Sequence, residues 1–523
     1  MTPASTPRTI SELIDEGERN FGDRLALVEG ARTWTYAELA DDVRRTARAH
    51  LATGVRPGDR VAIWAPNRSE FILAMLGAQL AGAVLVPLNT RYRGQEARTI
   101  LERSRAVSLV VANGFLGNDY LSMLRESATG TTPDLPHLRT IVDLDGGTVD
   151  GVTGWEDFMA DAEQITAEDL AAAEATLTPD TMCDLMFTSG TTGVPKGVMS
   201  AHRQTLGVAQ IWAQGAGLSE SDRYAIVNPF FHGFGYKAGI IAALSAGAAI
   251  HPVITFDPEA LMAQVERERI TVLPGPPTIF ITLINHPRRA DFDLSSLRFA
   301  IAGAATVPET LFEQMLDVLG FDQVGQAYGL TECLVATQSR PHEDPRHVAD
   351  TTGPAVPGIE VRVVDQTGAQ VAVGVDGEVW LRGENVMLGY FEDSEATADA
   401  IDGDGWLHTG DVGRLDEHGC LKITDRIKDM FTVGGFNVYP AEVENVLTSH
   451  PDVIEAAVVG IEDERMGNVS CAHLRLRAGA LLDAPGLTAY CRQRLANFKV
   501  PRTFAVVEDF PRNASGKILK QDL

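Results

Sequence analysis

The segment Thr188-Ser-Gly-Thr-Thr-Gly-Val-Pro-Lys-Gly197 combines three glycines, four hydroxyl side chains and one lysine, and it directly follows the apolar run Leu185-Met-Phe187. Its glycines let the backbone turn sharply and approach a ligand closely. Its backbone N–H groups, hydroxyls and ammonium together suit phosphate oxygens. It departs from the common P-loop, because Lys196 follows a proline and Gly197 stands where that loop has Ser or Thr. Taken alone, the ten residues could also form a flexible surface turn.

The composition is that of a folded, acidic protein. The chain has 523 residues, of which 45% are hydrophobic, and this length predicts roughly three or four domain-sized units. Its net charge of −27 argues against a nucleic-acid partner and against general attraction to anionic membranes. The apolar run from Phe71 to Leu88 is divided by glycines into a helix to about Ala81 and a strand over Ala83–Val86. A membrane-spanning helix needs about 20 apolar residues, so we expect no membrane span.

Five scattered cysteines indicate a reducing compartment. They are odd in number and none forms a CxxC pair, unlike the cysteines of a disulfide framework or a structural zinc site. The first 23 residues lack the apolar core of a signal peptide. We therefore expect a cytoplasmic protein, and the sequence leaves open whether it is a homodimer.

Helical and strand patterns alternate over the first 420 residues, which predicts a layered α/β architecture. Leu76–Pro87 and Ile241–Pro252 share one helix–turn–strand rhythm. After Gly353 the pattern changes to short alternating strands such as Ile359–Val364 and Glu378–Arg382. This change indicates a small β-barrel-like subdomain over about residues 353–424.

The last 95 or so residues predict a compact α+β module. Pro440 opens an amphipathic helix that places Val443, Val446 and Leu447 on one face. The pattern that follows predicts two strands and a helix, at Ala456–Val459, Ala472–Leu476 and about Leu487–Ala496. We therefore expect a large N-terminal domain over residues 1–427 and a small C-terminal domain over residues 428–523.

With its Pro-Lys-Gly ending, Thr188–Gly197 resembles the phosphate-binding loop of the acyl-adenylate-forming (AMP-binding) superfamily, which includes acyl-CoA synthetases, peptide-synthetase adenylation domains and beetle luciferases. Four further matches follow in the order of that superfamily: Gly303-Ala-Ala305, Gln326-Ala-Tyr-Gly-Leu-Thr-Glu332, Gly405-Trp-Leu-His-Thr-Gly-Asp411 and Pro511-Arg-Asn-Ala-Ser-Gly-Lys517. The resemblance covers nearly the whole chain. It implies two layered α/β sheets and a small β-barrel-like subdomain in the N-terminal domain, followed by a mobile α+β C-terminal domain.

The resemblance also implies ATP, Mg²⁺ and the co-substrate CoA. Tyr328 would stack on adenine, Thr331 would bind the α-phosphate and Glu332 would coordinate Mg²⁺, as a carboxylate suits a hard cation. Asp411 would accept hydrogen bonds from both ribose hydroxyls. The residues implied to bind ATP or AMP are Thr188, Ser189, Gly190, Thr191, Thr192, Gly193, Lys196, Gly303, Ala304, Tyr328, Gly329, Thr331, Asp411, Ile423 and Arg426.

Catalysis in this superfamily uses two poses of the C-terminal domain around a hinge, which here matches Lys428. The first pose would bring Lys517 to the substrate carboxylate and the phosphate oxygens. The second would present Gly434 and Gly435, which would line the pantetheine tunnel, and glycine suits a backbone that passes close to a thin ligand. The catalytic residues implied by the resemblance are Lys517, Lys196, Thr331 and His232.

The segment Asn228-Pro-Phe-Phe-His-Gly-Phe-Gly-Tyr-Lys237 resembles the wall of the acyl pocket, with His232 as an aromatic gate. It carries no Asp or Glu to hold a substrate ammonium, which disfavours amino-acid substrates. Lys237 could meet a ring ketone of the substrate or extend to solvent. The predicted pocket residues are Phe230, Phe231, His232, Phe234, Tyr236 and Lys237.

Together with Thr255–Pro258 and Val272–Thr278, this segment looks like the actinobacterial ligases of steroid catabolism, which activate a propanoate side chain on a bicyclic indanedione. We therefore predict an ATP-dependent carboxylic acid:CoA ligase that acts through an acyl-adenylate on a small-molecule acid of that kind. A medium- or long-chain fatty acid or an aryl acid is the alternative substrate. A protein that only binds acyl-adenylate or stops at it is the alternative function, and the nucleotide motifs alone also allow luciferase chemistry.

Overall fold

A computed structural model describes the protein over residues 7–127, 135–146, 149–189, 195–302, 309–341, 343–365, 367–426, 431–438, 440–477, 479–511, 518, 520 and 523. Within these ranges it describes the backbone alone at Ser189, Glu309, Thr310, Thr424, Asp425, Arg426, Asn437, Ala441 and Asn445.

The strands, in chain order, are β1 Leu25–Glu29, β2 Arg32–Thr35, β3 Arg60–Trp64, β4 Val84–Pro87, β5 Ala106–Val111, β6 Thr140–Asp143, β7 Thr153–Gly154, β8 Met182–Ser189, β9 Pro195–Ala201, β10 Arg223–Ile226, β11 Ala249–Pro252, β12 Phe299–Ile301, β13 Gln323–Gly325, β14 Ala327–Leu330, β15 Cys333–Gln338, β16 Ile359–Val364, β17 Gly377–Gly383, β18 Gly389–Tyr390, β19 Leu407–Leu415, β20 Leu421–Arg426, β21 Phe431–Val433, β22 Phe436–Val438, β23 Val453–Asp463, β24 Gly467–Leu476 and β25 Thr503–Val506.

The α-helices are α1 Ile10–Phe21, α2 Tyr36–Ala52, α3 Ser69–Leu80, α4 Gly94–Ser104, α5 Tyr120–Glu126, α6 Trp155–Ala160, α7 Ala167–Glu174, α8 His202–Gly215, α9 Gly233–Gly235, α10 Ala242–Ala246, α11 Pro258–Glu268, α12 Pro277–Ile284, α13 Glu309–Asp317, α14 Pro345–Asp350, α15 Ser394–Ala400, α16 Pro440–Thr448 and α17 Ala484–Arg492. Short 3₁₀ turns lie at Phe115–Gly117, Asp161–Gln164 and Arg289–Asp291, and one π-helical segment lies at Tyr236–Ile241.

Two sheets form the layers of the large N-terminal part. The first has the strand order β18-β9-β8-β4-β3-β5-β6-β7, and β3, β4 and β5 pair in parallel. The second has the order β10-β11-β1-β2 and continues through Val272, which bridges Tyr224 and Phe299, to the parallel pair β12-β13. Helix α3 is buried along its whole length, which agrees with its apolar sequence on every side. The α/β fold predicted from the alternating patterns is confirmed.

The predicted apolar unit at residues 71–88 is confirmed as a helix that ends at Leu80 and a strand that begins at Val84. No helix in the placed ranges is long and apolar enough to cross a membrane. The five cysteines are all buried and unbridged.

The subdomain expected over about residues 353–424 contains a four-stranded antiparallel sheet with the order β16-β17-β19-β20. Its strand β16 has the predicted bounds, Ile359–Val364. The five-stranded sheet of the C-terminal part has the order β22-β21-β24-β23, with β25 paired in parallel to β24. The boundary between the two domains, predicted between residues 427 and 428, remains a prediction.

The helix predicted near Leu487–Ala496 ends earlier, at Arg492. Leu495 and Ala496 are nevertheless buried, 1% and 0% exposed. Their burial continues the apolar pattern although the backbone there is no longer helical. The pattern alone therefore predicted too late an end for the helix.

Candidate functional site

The predicted phosphate loop is the connection of the β8–β9 hairpin. Thr188 lies directly opposite Lys196 in its antiparallel register. Paired positions of antiparallel strands place their side chains on the same face, so the hydroxyl and the ammonium lie on one side of the hairpin. The tip, Gly190 to Gly193, lies outside the residues that the structure describes, as does the side chain of Ser189.

Tyr390 connects this hairpin to the predicted metal ligand. The Lys196 ammonium lies 4.9 Å from the centre of the Tyr390 ring, a cation–π contact. The Tyr390 hydroxyl donates a hydrogen bond to Glu332 Oε1 at 2.8 Å. Strand β18 holds Tyr390 in place by pairing it with Val198 of β9. One aromatic side chain thus brings a predicted phosphate ligand and a predicted Mg²⁺ ligand together.

Thr331 and Glu332 are the two turn residues of the β14–β15 hairpin, since Leu330 pairs with Cys333. A turn projects both side chains away from the ladder, where a ligand can reach them. The Glu332 carbonyl accepts a hydrogen bond from the Met387 N–H at 2.7 Å, which ties the turn to the segment that carries Tyr390.

The same hairpin has a close backbone approach at Gly329. A Cβ on Gly329 would lie 2.4 Å from the Val335 nitrogen and 2.9 Å from the Cys333 oxygen. Val335 itself has φ +56°, a left-handed conformation that is unfavourable for a β-branched residue. Glycine at 329 is therefore required by the packing of the hairpin that holds Thr331 and Glu332.

The predicted adenine and ribose ligands are in direct contact. The Tyr328 hydroxyl donates to Asp411 Oδ2 at 2.5 Å, and Asp411 is only 2% exposed. The Asp411 N–H donates to Thr409 Oγ1 at 3.0 Å. Strands β19 and β20 then place the backbone of Arg426 opposite Asp411, while Ile423 pairs with Gly413 and packs against the core.

Several predicted residues cannot be placed. Outside the residues that the structure describes lie Gly190, Thr191, Thr192, Gly193, Gly303, Ala304, Lys428 and Lys517, together with the side chain of Arg426. Their roles remain predictions.

The predicted acyl-pocket segment is held by Asn67. Its side-chain amide donates to the carbonyls of Ile226 and Asn228, both at 3.0 Å, and its Oδ1 accepts the Phe230 N–H at 2.8 Å. A Cβ on Gly235 would lie 2.2 Å from the Pro229 oxygen, so this position admits only glycine without movement of the backbone. The chain then forms the π-helical segment, a feature often found at functional sites.

Three of the predicted pocket residues, Phe230, Tyr236 and Lys237, are buried against other parts of the protein. Phe230 and Tyr236 are 0% exposed; the Phe230 ring packs edge-on against Phe71, and the Tyr236 hydroxyl receives a hydrogen bond from Gln79 at 2.5 Å. Neither ring faces open space in this structure. The aromatic side chains that suggested a substrate pocket pack here against other residues of the protein.

Lys237 does not extend to solvent, which corrects that alternative, and its contact with a ring ketone remains a prediction. It is 3% exposed, and its ammonium lies 3.0 Å from Asp184 Oδ1 and 2.8 Å from Ser200 Oγ. Thr205 donates to the second oxygen of Asp184 at 2.6 Å. A buried charge requires a partner of this kind, and the pairing could not be read from residues more than fifty positions apart.

His232 is the exposed member of the segment, with the half-buried Phe231 and Phe234 beside it. Its Nδ1 accepts the Phe234 N–H at 3.1 Å, which places the proton of a neutral ring on Nε2. The surrounding protein lowers the pKa of His232 by desolvation. Its role as an aromatic gate remains a prediction.

The predicted CoA residues form the tip of the β21–β22 hairpin. Gly434 and Gly435 have φ values of +56° and +82° between the paired residues Val433 and Phe436, the conformation that two-residue hairpins require. A Cβ on Gly435 would lie 3.6 Å from Pro276 Cβ. In this structure the glycine turn therefore faces the N-terminal part.

Sequence reasoning missed Tyr390 and Asn67. Tyr390 lies in the segment Met387-Leu-Gly-Tyr-Phe391, in which no local pattern indicates a contact with Lys196 or Glu332. Asn67 is buried, 4% exposed, in a turn before α3, and a polar residue at a turn gives no signal of its distant partners.

Comparisons with known proteins identify the family of the chain. The model of the AMP-binding enzyme family matches residues 14–391, and that of the AMP-binding enzyme C-terminal domain matches residues 442–517. The chain is 50% identical over 519 residues to the 3-[(3aS,4S,7aS)-7a-methyl-1,5-dioxo-octahydro-1H-inden-4-yl]propanoyl:CoA ligase of Rhodococcus jostii strain RHA1, covering 99% of this chain and 98% of the relative.

Two solved structures of one further relative, the o-succinylbenzoate CoA synthetase of Bacillus subtilis, are also similar at 30% identity. A double mutant bound with its product analogue OSB-NCoA superposes with a TM-score of 0.81 over 98% of each chain. The complex with AMP superposes with a TM-score of 0.67 over 98% of this chain and 97% of that chain. With both family models matched and near-complete coverage of its relatives, the chain belongs to the AMP-binding enzyme family.

Proposed function

We propose that this acyl-CoA ligase acts on a bulky alicyclic propanoate, such as the propanoate side chain of a steroid-derived indanedione. The observation that carries the proposal is the 50% identity, over nearly the full length of both chains, to a ligase whose name specifies that acid. Such a substrate would place the reaction within steroid catabolism.

The first half-reaction would form an acyl-adenylate. A carboxylate oxygen of the acid attacks the α-phosphorus of ATP, the bond to the β-phosphate oxygen breaks, and pyrophosphate leaves. Asp411 and Tyr328, which are hydrogen-bonded to each other, would hold the nucleoside, and Thr188 and Lys196, which are paired in the hairpin, would hold the phosphates. Such preorganised charges stabilise the negative charge of the transition state. Lys517 would join them at the α-phosphate.

Mg²⁺ would bind at Glu332. The fit is supported by a half-buried carboxylate at a hairpin turn whose Oε1 is oriented by Tyr390. A hard cation prefers such oxygen ligands, and phosphate oxygens of ATP would complete its coordination. When bound, the ion would neutralise charge on the departing pyrophosphate.

The second half-reaction would transfer the acyl group to CoA. The thiol of CoA attacks the acyl carbon after losing its proton, the acyl–phosphate bond breaks, and AMP leaves. The Gly434-Gly435 turn against Pro276 would line the path of the pantetheine arm.

We assign the arrangement described here to this second step. The o-succinylbenzoate CoA synthetase superposes better with its CoA product analogue bound, at a TM-score of 0.81, than with AMP bound, at 0.67. The identity is 30% in both cases, so the difference reflects the arrangement of the parts more than their sequence. This supports a C-terminal domain that changes its pose about Lys428 between the two half-reactions.

The wall of the acyl pocket would be built from Phe231, His232 and Phe234. They are the members of the predicted set with accessible surface, and Phe234 is braced edge-on by Trp212 at 5.1 Å. Rigid aromatic rings favour a compact apolar acid over a long flexible chain. The buried, unbridged cysteines support a reducing compartment, and we propose the cytoplasm.

A pyrophosphate-release assay with and without CoA tests the proposal across straight-chain fatty acids, aryl acids and bicyclic propanoates. We expect the bicyclic propanoate to have the highest kcat/KM and to yield its CoA thioester. A preference for straight chains or aryl acids would overturn the substrate. Pyrophosphate release without any CoA-dependent thioester would identify a protein that stops at the adenylate.

A further inference from the structure

A buried lysine joins the C-terminal part to the N-terminal part. The Lys499 ammonium lies 2.6 Å from Glu442 Oε1 and 3.0 Å from Glu96 Oε1, and the Lys499 side chain is only 3% exposed. Lys499 and Glu442 belong to the C-terminal part, whereas Glu96 lies in the first turn of α4. The ammonium also lies 5.1 Å from the ring centre of Tyr92. We call Lys499, Glu96 and Glu442 the charge cluster.

The charge cluster depends on how the two parts are arranged. The Lys499–Glu442 pair lies within the C-terminal part, but Lys499 meets Glu96 only while the parts are docked as described here. Burying an ammonium is unfavourable unless it is paired and hydrogen-bonded. The docked arrangement supplies that second partner, and any arrangement that moves the C-terminal part away separates Lys499 from Glu96.

A second contact links the charge cluster to the glycine turn. Phe436 directly follows Gly435 and stacks on Phe498, the neighbour of Lys499, with ring centres 4.8 Å apart. On the other side the guanidinium of Arg91 lies over the Phe436 ring at 4.3 Å. The residues that hold Lys499 and those that hold the glycine turn are therefore one continuous patch, which faces the segment from Arg91 to Glu96.

We propose that Lys499 is a positioning residue for thioester formation: its pairing with Glu96 fixes the C-terminal part so that the Gly434-Gly435 turn faces Pro276. The pair acts through the position of the turn and touches no reacting atom. The inference rests on the proposed function, because it assigns the docked arrangement to the CoA step. It follows that the adenylation step does not use the Lys499–Glu96 pair.

The test measures the two half-reactions separately in the full-length chain. Adenylation is followed as pyrophosphate release in the absence of CoA. Thioester formation is followed in single turnover from preformed acyl-adenylate plus CoA. In E96K, two ammonium groups meet in a buried site, so we expect thioester formation to slow by roughly tenfold or more. Adenylation should stay within about twofold of the wild type, since that step does not use the pair.

A matched control lies on the same helix. E102K makes the same change of charge in α4, at a side chain that is 37% exposed and forms only a 3.7 Å pair with Arg98. We expect neither half-reaction of E102K to change by more than about twofold, as is usual for surface substitutions.

The charge swap E96K/K499E separates a positioning role from simple damage. The swap restores an opposite-charge pair between positions 96 and 499 across the two parts, although the new carboxylate at position 499 lies beside Glu442, so we expect it to recover part of the lost rate of thioester formation. The proposal is overturned if E96K slows both half-reactions equally or slows neither, or if a folded swap variant recovers nothing. Failure of the proposed function has a different signature, because the wild-type protein would then form no thioester from acyl-adenylate and CoA.

Discussion

The hydroxyl of Tyr390 donates a hydrogen bond to Glu332 at 2.8 Å while its ring carries the Lys196 ammonium at 4.9 Å. One side chain therefore contacts groups from the phosphate hairpin and from the β14–β15 turn, which are more than 130 residues apart in the chain. We expect Tyr390→Phe to keep the contact with Lys196 and to lose the orientation of Glu332. Hydrogen bonds to charged groups contribute about 1.5–3 kcal/mol, so adenylation should slow roughly tenfold or more.

The Mg²⁺ dependence of pyrophosphate release checks this role of Tyr390. Tyr390→Phe should need more Mg²⁺ for half-maximal rate, whereas Tyr390→Leu should also weaken ATP binding because it removes the aromatic face. An unchanged Mg²⁺ dependence in Tyr390→Phe would show that the hydrogen bond does not serve the metal site.

The contact between Tyr328 and Asp411 makes a prediction about nucleotide binding. Tyr328→Phe keeps an aromatic ring and removes the 2.5 Å hydrogen bond to Asp411 Oδ2. We expect the KM for ATP to rise roughly threefold to thirtyfold, since the carboxylate loses a partner that orients it. Asp411→Ala should raise that KM further, and kcat at saturating ATP should change less than KM in Tyr328→Phe. A lowered kcat with unchanged KM would contradict a binding role.

Because Lys237 is buried and paired with Asp184, we expect its replacement to lower the stability of the protein and to leave its substrate selectivity unchanged. Lys237→Met leaves the carboxylate of Asp184 buried with Thr205 and without its cation, which costs about 3–5 kcal/mol of unfolding free energy. Urea unfolding measures that loss. The double variant Lys237→Met with Asp184→Leu should recover most of it, because the unpaired charge is gone.

A change in substrate selectivity would contradict this prediction for Lys237. If Lys237→Met changed the preference between keto-acids and plain acids while its unfolding free energy stayed that of the wild type, the ammonium would contact substrate after all.

Two buried histidines predict sensitivity to acid. Burial lowers the pKa of both His50 and His202 from the ordinary value of 6.5 to about 4, and His202 Nδ1 accepts the Ile10 N–H at 3.2 Å, which requires a neutral ring. In the unfolded chain both rings take up protons near pH 6.5. The free energy of unfolding is therefore unaffected by these two groups above about pH 6.5. It decreases as the pH falls from there to about 4, by roughly 3 kcal/mol per group.

Unfolding free energies measured from pH 7 to pH 4.5 check this dependence. His50→Gln should make it roughly half as steep, with His202 supplying the remainder, since a glutamine amide does not titrate and can donate to the Ala74 carbonyl, which lies 3.1 Å from His50 Nε2. An equally steep pH dependence in His50→Gln would assign the acid sensitivity to other groups.

Much of the fold could be predicted from local patterns. The alternation of helices and strands, the α3–β4 unit and strand β16 depend on the period of apolar residues, which neighbouring positions reveal directly. The end of α17 could not, because Leu495 and Ala496 keep the apolar pattern while the backbone leaves the helix. The candidate nucleotide site was largely predictable for a similar reason, as Thr188 to Lys196 and Tyr328 to Glu332 are each supplied by one short hairpin.

The family and the positions of its nucleotide motifs follow from the sequence, because each motif is a contiguous segment whose side chains come together wherever its hairpin folds. Tertiary structure alone decided that Lys237 is paired with Asp184, that Tyr390 connects Lys196 to Glu332, and that Lys499 meets Glu96 across two parts of the chain. These partners lie from about fifty to about four hundred residues apart. Whether a charged or aromatic side chain faces substrate, protein or another domain depends on which distant group desolvates it and pairs with it, and no local pattern carries that information.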